Sequence, residues 1–210
     1  MSPEKIAAEL RADLMAGRLW PGTELQQAGL AERFAVSRIP IRDALRILAA
    51  EGLVVIEPNR GATVIALSAS EIGELYDLRL LLEGDCLRRA AVAMTPAAIE
   101  EIDRIRRKAD LDAATPTRDE GDRAFHEALY APAARPRQVA LILSLRQTCR
   151  LFAASYATLP TERSRWLGDH ELIVGRLRAG DTEGAVAALS RHIEGARDHL
   201  LALMARDRGQ

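Results

Sequence analysis

Apolar positions recur every three to four residues along most of the chain. Ile6, Leu10 and Leu14 form one stripe, with Ser2 placed as N-cap and Pro3 at the first helical position. That pattern predicts a helix ending at Gly17, then a turn at Pro21-Gly22. A short helix is expected from about Gln26 to Phe34, with a break at Ala35-Val36. Ser37 then caps a helix running to about Glu51, whose inner face is Ile41, Ala44, Leu45 and Leu48. Strand character is confined to Leu53–Leu67, where VVI and TVIAL flank Pro58-Asn59-Arg60-Gly61 and read as a hairpin. From Ser68 the pattern is helical again. Ser68 and Glu71 fit a capping box, and helices are expected near 69–93, 96–112, 119–131, 136–158, 161–179 and 182–206. Thr95-Pro96 and Asp181 mark starts, and Gly180 marks a stop. The short gaps predict an antiparallel six-helix bundle. The fold class is mainly α: a helix-turn-helix with a hairpin over 1–67, then an all-α bundle over 68–210.

Composition narrows the class without changing this picture. With 48% hydrophobic and 28% charged residues and mean hydropathy of -0.08, a disordered chain is excluded. The count of 37 Ala and 29 Leu against eight aromatics favours helix. No apolar run reaches the ~18 residues of a membrane span, and MSPEKIAAELRADL lacks a signal-peptide core, so a cytoplasmic location is expected. Cys86 and Cys149 lack zinc-ligand spacing and read as buried thiols.

A net charge of -1 gives no global sign of a nucleic-acid partner, so position decides. Arg38, Arg42 and Arg46 are spaced four apart and project from one side of the helix. With Arg33, this stretch carries four arginines against one acid, Asp43. Guanidinium groups bond guanine edges or clamp phosphates, and a helix N-terminus attracts phosphate. A preceding short helix and tight turn match helix-turn-helix spacing, and Arg60 at a glycine-flanked tip suits a minor groove. The same ridge also reads as the solvated face of an amphipathic helix.

The segment LAERFAVSRIPIRDALRILAAEGLV followed by PNRGA resembles the winged-helix domain of GntR-family bacterial transcription regulators, from about Ile6 to Val64. The resemblance implies that Ser37, Arg38 and Arg42 touch DNA, and that Asn59, Arg60 and Gly61 form the wing tip. This chain has Ala35 where the family often has Gly, Ile39 where it often has Thr, and Ala28 where some members have a DNA-contacting Arg.

The four histidines all lie beyond residue 125. Asp122 and His126, four apart, share a helix face beside Phe125 and Leu129. His170 accompanies Leu167, Ile173, Val174 and Leu177, and His192 is in register with Ala185, Leu189, Ala196 and Leu203. One Asp and three imidazoles suit a divalent Zn, Ni, Mn or Fe ion, although buried histidines also serve as hydrogen-bonded core residues. There is no HExxH motif.

The stretches YDLRLLLEGDCLRRAA, DRAFHEAL, DHELIVGRLRAGD and AVAALSRHIEGARDHL resemble the helical FCD effector domain of the FadR branch of that family. The resemblance implies a divalent metal held by Asp122, His126, His170 and His192, and a small organic-acid effector. Arg79, on an apolar stripe one turn before Glu83, reads either as a structural pair with it or as the partner of an effector carboxylate. Trp166 and His199 are candidate cavity residues.

The expected protein is therefore a homodimeric, ligand-responsive repressor of a pseudo-palindromic double-stranded DNA operator, with half-sites ~34 Å apart, and not a membrane protein. The alternative is a metal-dependent helical enzyme with an accessory DNA-binding module; against it, no nucleophile motif is present and only Glu83 and Glu127 offer a general base.

Overall fold

The computed structural model describes residues 1–57, 61–112, 118–156 and 163–207. Two compact units are formed: Met1–Ile72 with Arg146–Ala157 and Leu200–Gln210, and Gly73–Leu145 with Thr158–His199.

The first unit opens with α1 (Pro3–Met15), where Lys5 N donates to the Ser2 hydroxyl. It continues through β1 (Glu24–Leu25), α2 (Gln27–Phe34), α3 (Arg38–Ala50), β2 (Val54–Glu57) and β3 (Gly61–Val64). The sheet order is β1-β3-β2, antiparallel throughout, with Thr63 between Glu24 and Val55. The two-residue β1 has no periodicity to read and is an addition to the expected hairpin. Ile6, Leu10, Leu14, Ile41, Leu45, Leu48, Leu53 and Val64 are fully or almost fully buried in one core, which Leu151 joins. Each such side chain contributes about 1.5–3 kcal/mol on burial. Gly61 has φ of 121°, and a Cβ there would lie 2.4 Å from the Leu25 carbonyl oxygen, so the β1–β3 pairing itself demands glycine.

After the wing, α4 (Ala69–Ala93), which lies in the second unit from Gly73 onward, follows the expected capping box: Glu71 N donates to Ser68 Oγ, and Ser68 N to Glu71 Oε2. Then come α5 (Pro96–Asp112), α6 (Arg118–Tyr130), a 3₁₀ turn (Ala131–Ala133), α7 (Pro136–Tyr156), α8 (Arg163–Arg178) and α9 (Thr182–Asp207). Thr95 and Asp181 cap α5 and α9 as expected, and Gly180 ends α8 at φ of 71°. Gly121 lets α6 approach α5, since a Cβ would sit 3.0 Å from Ala109 Cα. Asp103 ties α5 to α8 by accepting from Arg106, Arg107 and Arg178 at 2.6–3.0 Å. Both cysteines are buried thiols, and burial pushes Cys86 up to about 11.

Candidate functional site: a basic reading helix and an enclosed histidine cluster

The first unit places α2, the tight turn at Ala35-Val36 and α3 as a helix-turn-helix beside a three-stranded wing. Ala35 adopts φ 51° and ψ 47°, the left-handed conformation that the turn needs and glycine takes more cheaply. The inner face of α3 is the expected Ile41, Ala44, Leu45 and Leu48. Arg38, Arg42 and Arg46 are exposed. Arg46 Nη1 donates to Asp43 Oδ1 at 3.2 Å and Arg42 lies 3.9 Å from the same oxygen; both pairs are exposed, and such surface pairs contribute little. Arg33 is tied more firmly: it bridges Asp13 at 2.6 Å and stacks over Phe34.

Ser37 occupies the N-cap of α3, but its hydroxyl makes no capping bond. One of the two usual donors is missing, because the third helical residue is Pro40, which has no N–H. The expectation that Ser37 caps the helix is corrected to this extent. Ser37, Arg38 and Ile39 are exposed at this end, the positive end of the helix dipole. Asn59 and Arg60 lie outside the described residues, and Gly61 follows them as the first residue of β3.

The second unit brings His126 from α6, His170 from α8 and His192 from α9 together, all three buried, with one ligating atom from each within 4.8 Å of the others. Ring centroids are 4.7–5.7 Å apart. Asp122, one turn before His126, presents Oδ1 at 3.6 Å from His126 Nε2 and 3.8 Å from His170 Nε2. Those separations exceed a hydrogen bond and approach the ~3.4 Å edge of a tetrahedron of ligands ~2.1 Å from one ion. The donor set, its spacing and its enclosure therefore fit a divalent transition metal.

A second ring of contacts orients the imidazoles. Tyr130, one turn beyond His126, donates its hydroxyl proton to Glu83 Oε2 at 2.5 Å. Its oxygen is then left to accept from His126 Nδ1 at 3.3 Å. Glu83 Oε1 in turn accepts from Arg79 Nε at 2.7 Å, a buried charge-assisted pair. A proton on His126 Nδ1 would satisfy this contact and turn the Nε2 lone pair toward Asp122 and His170. His192 is set the same way, with Nδ1 3.4 Å from Asp169 Oδ2. Arg79 therefore forms the structural pair with Glu83, and the guanidinium also stacks on Tyr76. Trp166 and His199 are half-buried on α8 and α9. The Trp166 indole N–H is buried with no acceptor among the described residues.

Tyr130 and Asp169 were missed from sequence. Tyr130 had a legible signal in its i+4 spacing from His126. Asp169 had none, because it meets His192 only through tertiary packing.

A basic helix-turn-helix with a wing, in a chain whose other unit encloses a buried histidine cluster, points to a DNA-binding transcription regulator. Residues 3–64 match the family described as bacterial regulatory proteins, gntR family, and residues 74–195 match the FCD domain. The chain belongs to the GntR family of transcription regulators and carries an FCD effector domain. It is 29% identical over 202 residues to the gluconate operon transcriptional repressor of Bacillus licheniformis, covering 90% of this chain and 81% of that protein. A putative GntR transcriptional regulator from Rhodococcus sp. RHA1 superposes with a TM-score of 0.77 at 27% identity, covering 95% and 97% of the two chains. Escherichia coli McbR/YncC shares the fold with a TM-score of 0.78 at 23% identity over 94% and 96%. These relationships exclude the enzyme alternative: the chain is a regulator. Among the described residues no helix is long and apolar enough to cross a membrane.

Proposed function

We propose that the protein is a homodimeric repressor whose affinity for a pseudo-palindromic operator is set by a small carboxylate effector held at a divalent metal in the FCD domain. The observation that carries this reading is the buried convergence of His126, His170 and His192 with the Asp122 carboxylate. When bound, the ion would supply a Lewis acid that holds effector oxygens. The chain's own residues do the rest. Glu83, Tyr130 and Asp169 aim the imidazoles. Trp166 offers a buried N–H for an acceptor oxygen, and His199 is the proposed further lining residue. Arg79 acts through Glu83, with any contact to the effector carboxylate secondary to that role. The Bacillus licheniformis relative, named for a gluconate operon, supports a hydroxycarboxylate as the effector class.

Residues 1–67 read DNA in the cytoplasm and residues 68–210 sense and dimerise. Arg38, Arg42, Arg46 and Ser37 are the proposed duplex contacts, with Arg33 at the flank and Asn59, Arg60 and Gly61 at the wing. A ridge on α4 suits a second copy: Leu78, Leu81 and Val92 are 41%, 72% and 90% exposed on one face. Effector binding shifts the dimer between DNA-competent and incompetent populations by its differential affinity for the two.

The test measures metal content of the purified protein, then operator binding with Zn²⁺ and gluconate added. One ion per chain, lost in His126→Ala, and gluconate-dependent release of DNA are expected. Absence of stoichiometric metal after Zn²⁺ loading would refute the sensor reading.

A further inference from the structure

The residue that projects most directly from the reading helix is not an arginine. At 3.6 residues per turn, the buried side chains Ile41, Ala44, Leu45 and Leu48 define one direction of α3, and Ile39 lies within about 10° of its opposite. Ile39 is 63% exposed, and around the helix the exposed Arg46 and Arg42 lie about 20° and 60° to one side of it. It occupies the second helical position, where the Cα–Cβ bond tilts toward the N-terminus, the end that enters a major groove. A β-branched side chain in the first turn has few rotamers, so its methyl groups are presented in a fixed place.

In the major groove only one group of the four ordinary bases rewards an apolar contact, the C5-methyl of thymine. A polar residue at this position would seek an acceptor or donor on a base edge or phosphate. Isoleucine can do neither. We propose that Ile39 is a specificity-determining residue that selects thymine by packing against its C5-methyl, while the flanking guanidiniums hold the phosphates and guanine edges. This inference rests on α3 being the reading helix.

The experiment uses the full-length protein. Duplexes are enriched from a random pool, and the winning duplex is remade with every dT replaced by dU, which deletes the methyl and leaves base pairing intact. Binding is followed by fluorescence anisotropy at one fixed salt concentration. The wild type should bind the dU duplex about four-fold more weakly per contacted methyl. Ile39→Ala should bind the dT duplex more weakly but lose the dT/dU preference, and Ile39→Val should retain part of it. Arg42→Ala should weaken binding to both duplexes and keep the ratio. An Ile39→Ala ratio equal to that of the wild type would overturn the proposal, as would a wild type indifferent to the methyl. Failure to enrich any duplex would instead bring down the reading-helix assignment itself.

Discussion

Replacing Tyr130 with Phe removes one oxygen that sits between a carboxylate and an imidazole, and its effect can be worked out from the contacts. The hydroxyl is 2.5 Å from Glu83 Oε2 and 3.3 Å from His126 Nδ1, and all three residues are fully buried. A hydrogen bond to a charged group contributes about 1.5–3 kcal/mol and a neutral one about 0.5–1.5, so the change costs about 2–4.5 kcal/mol of stability. The consequence for the site is more specific. Without the hydroxyl oxygen, His126 Nδ1 loses the acceptor that would favour a proton there, and with it the bias that leaves the Nε2 lone pair for an ion. Loss of such an outer contact weakens metal binding about 10- to 100-fold. Zn²⁺ affinity should be measured by chelator competition, stability by urea denaturation, and the His126 tautomer by ¹⁵N chemical shift. Ile142→Ala is a control of similar cost in the same unit, since Ile142 is fully buried and such truncations cost about 2–5 kcal/mol. It should leave Zn²⁺ affinity unchanged. If Tyr130→Phe lowers stability but holds Zn²⁺ within two-fold of the wild type, Tyr130 is a core residue and the orienting argument fails.

Other outcomes follow from the same geometry. Arg38→Ala and Arg42→Ala should each lower operator affinity and reduce the salt slope by about one per lost phosphate contact; unchanged binding at matched salt for both would exclude α3 from the interface. Burial would raise the Asp103 carboxyl, but hydrogen bonds from Arg106, Arg178 and Arg107 outweigh it and hold the group at about 2, down from 3.8. That drop corresponds to about 2.4 kcal/mol. Because the folded value is the lower one, this stability is present above pH 4 and is lost as pH falls from about 4 to 2. Asp103→Asn should therefore be destabilised at pH 7, and its deficit against the wild type should close in acid; a deficit constant down to pH 2 would contradict the account. Ala35→Gly should stabilise the first unit by about 1 kcal/mol by relieving the left-handed alanine, and a lower midpoint in urea would count against it.

Much of the fold was legible because local chemistry and global packing agree. The caps at Ser2, Ser68, Thr95 and Asp181 and the stop at Gly180 each bound a helix, and the six bundle helices fall within a few residues of their expected bounds. The histidine cluster was legible because each ring lies on an apolar stripe facing the bundle interior. What was not legible depends on contacts between distant segments. β1 has only two residues and exists through pairing with β3. Asp169 reaches His192 across two helices. Gly61 was read as a wing-tip residue on resemblance, and the space beside the Leu25 carbonyl gives it a backbone reason that no periodicity reveals. The Ser37 cap failed on a rule that was available, since Pro40 three residues later already removes a donor.

The three imidazoles come from three separate helices, α6, α8 and α9. An ion gripping all three would rivet the sensor together as a disulfide staples a small secreted domain. Its grip would be felt in resistance to unfolding as well as in signalling, by about 2.7 kcal/mol at a free concentration one hundred times its dissociation constant. A cell starved of that ion would then hold fewer surviving copies of the regulator.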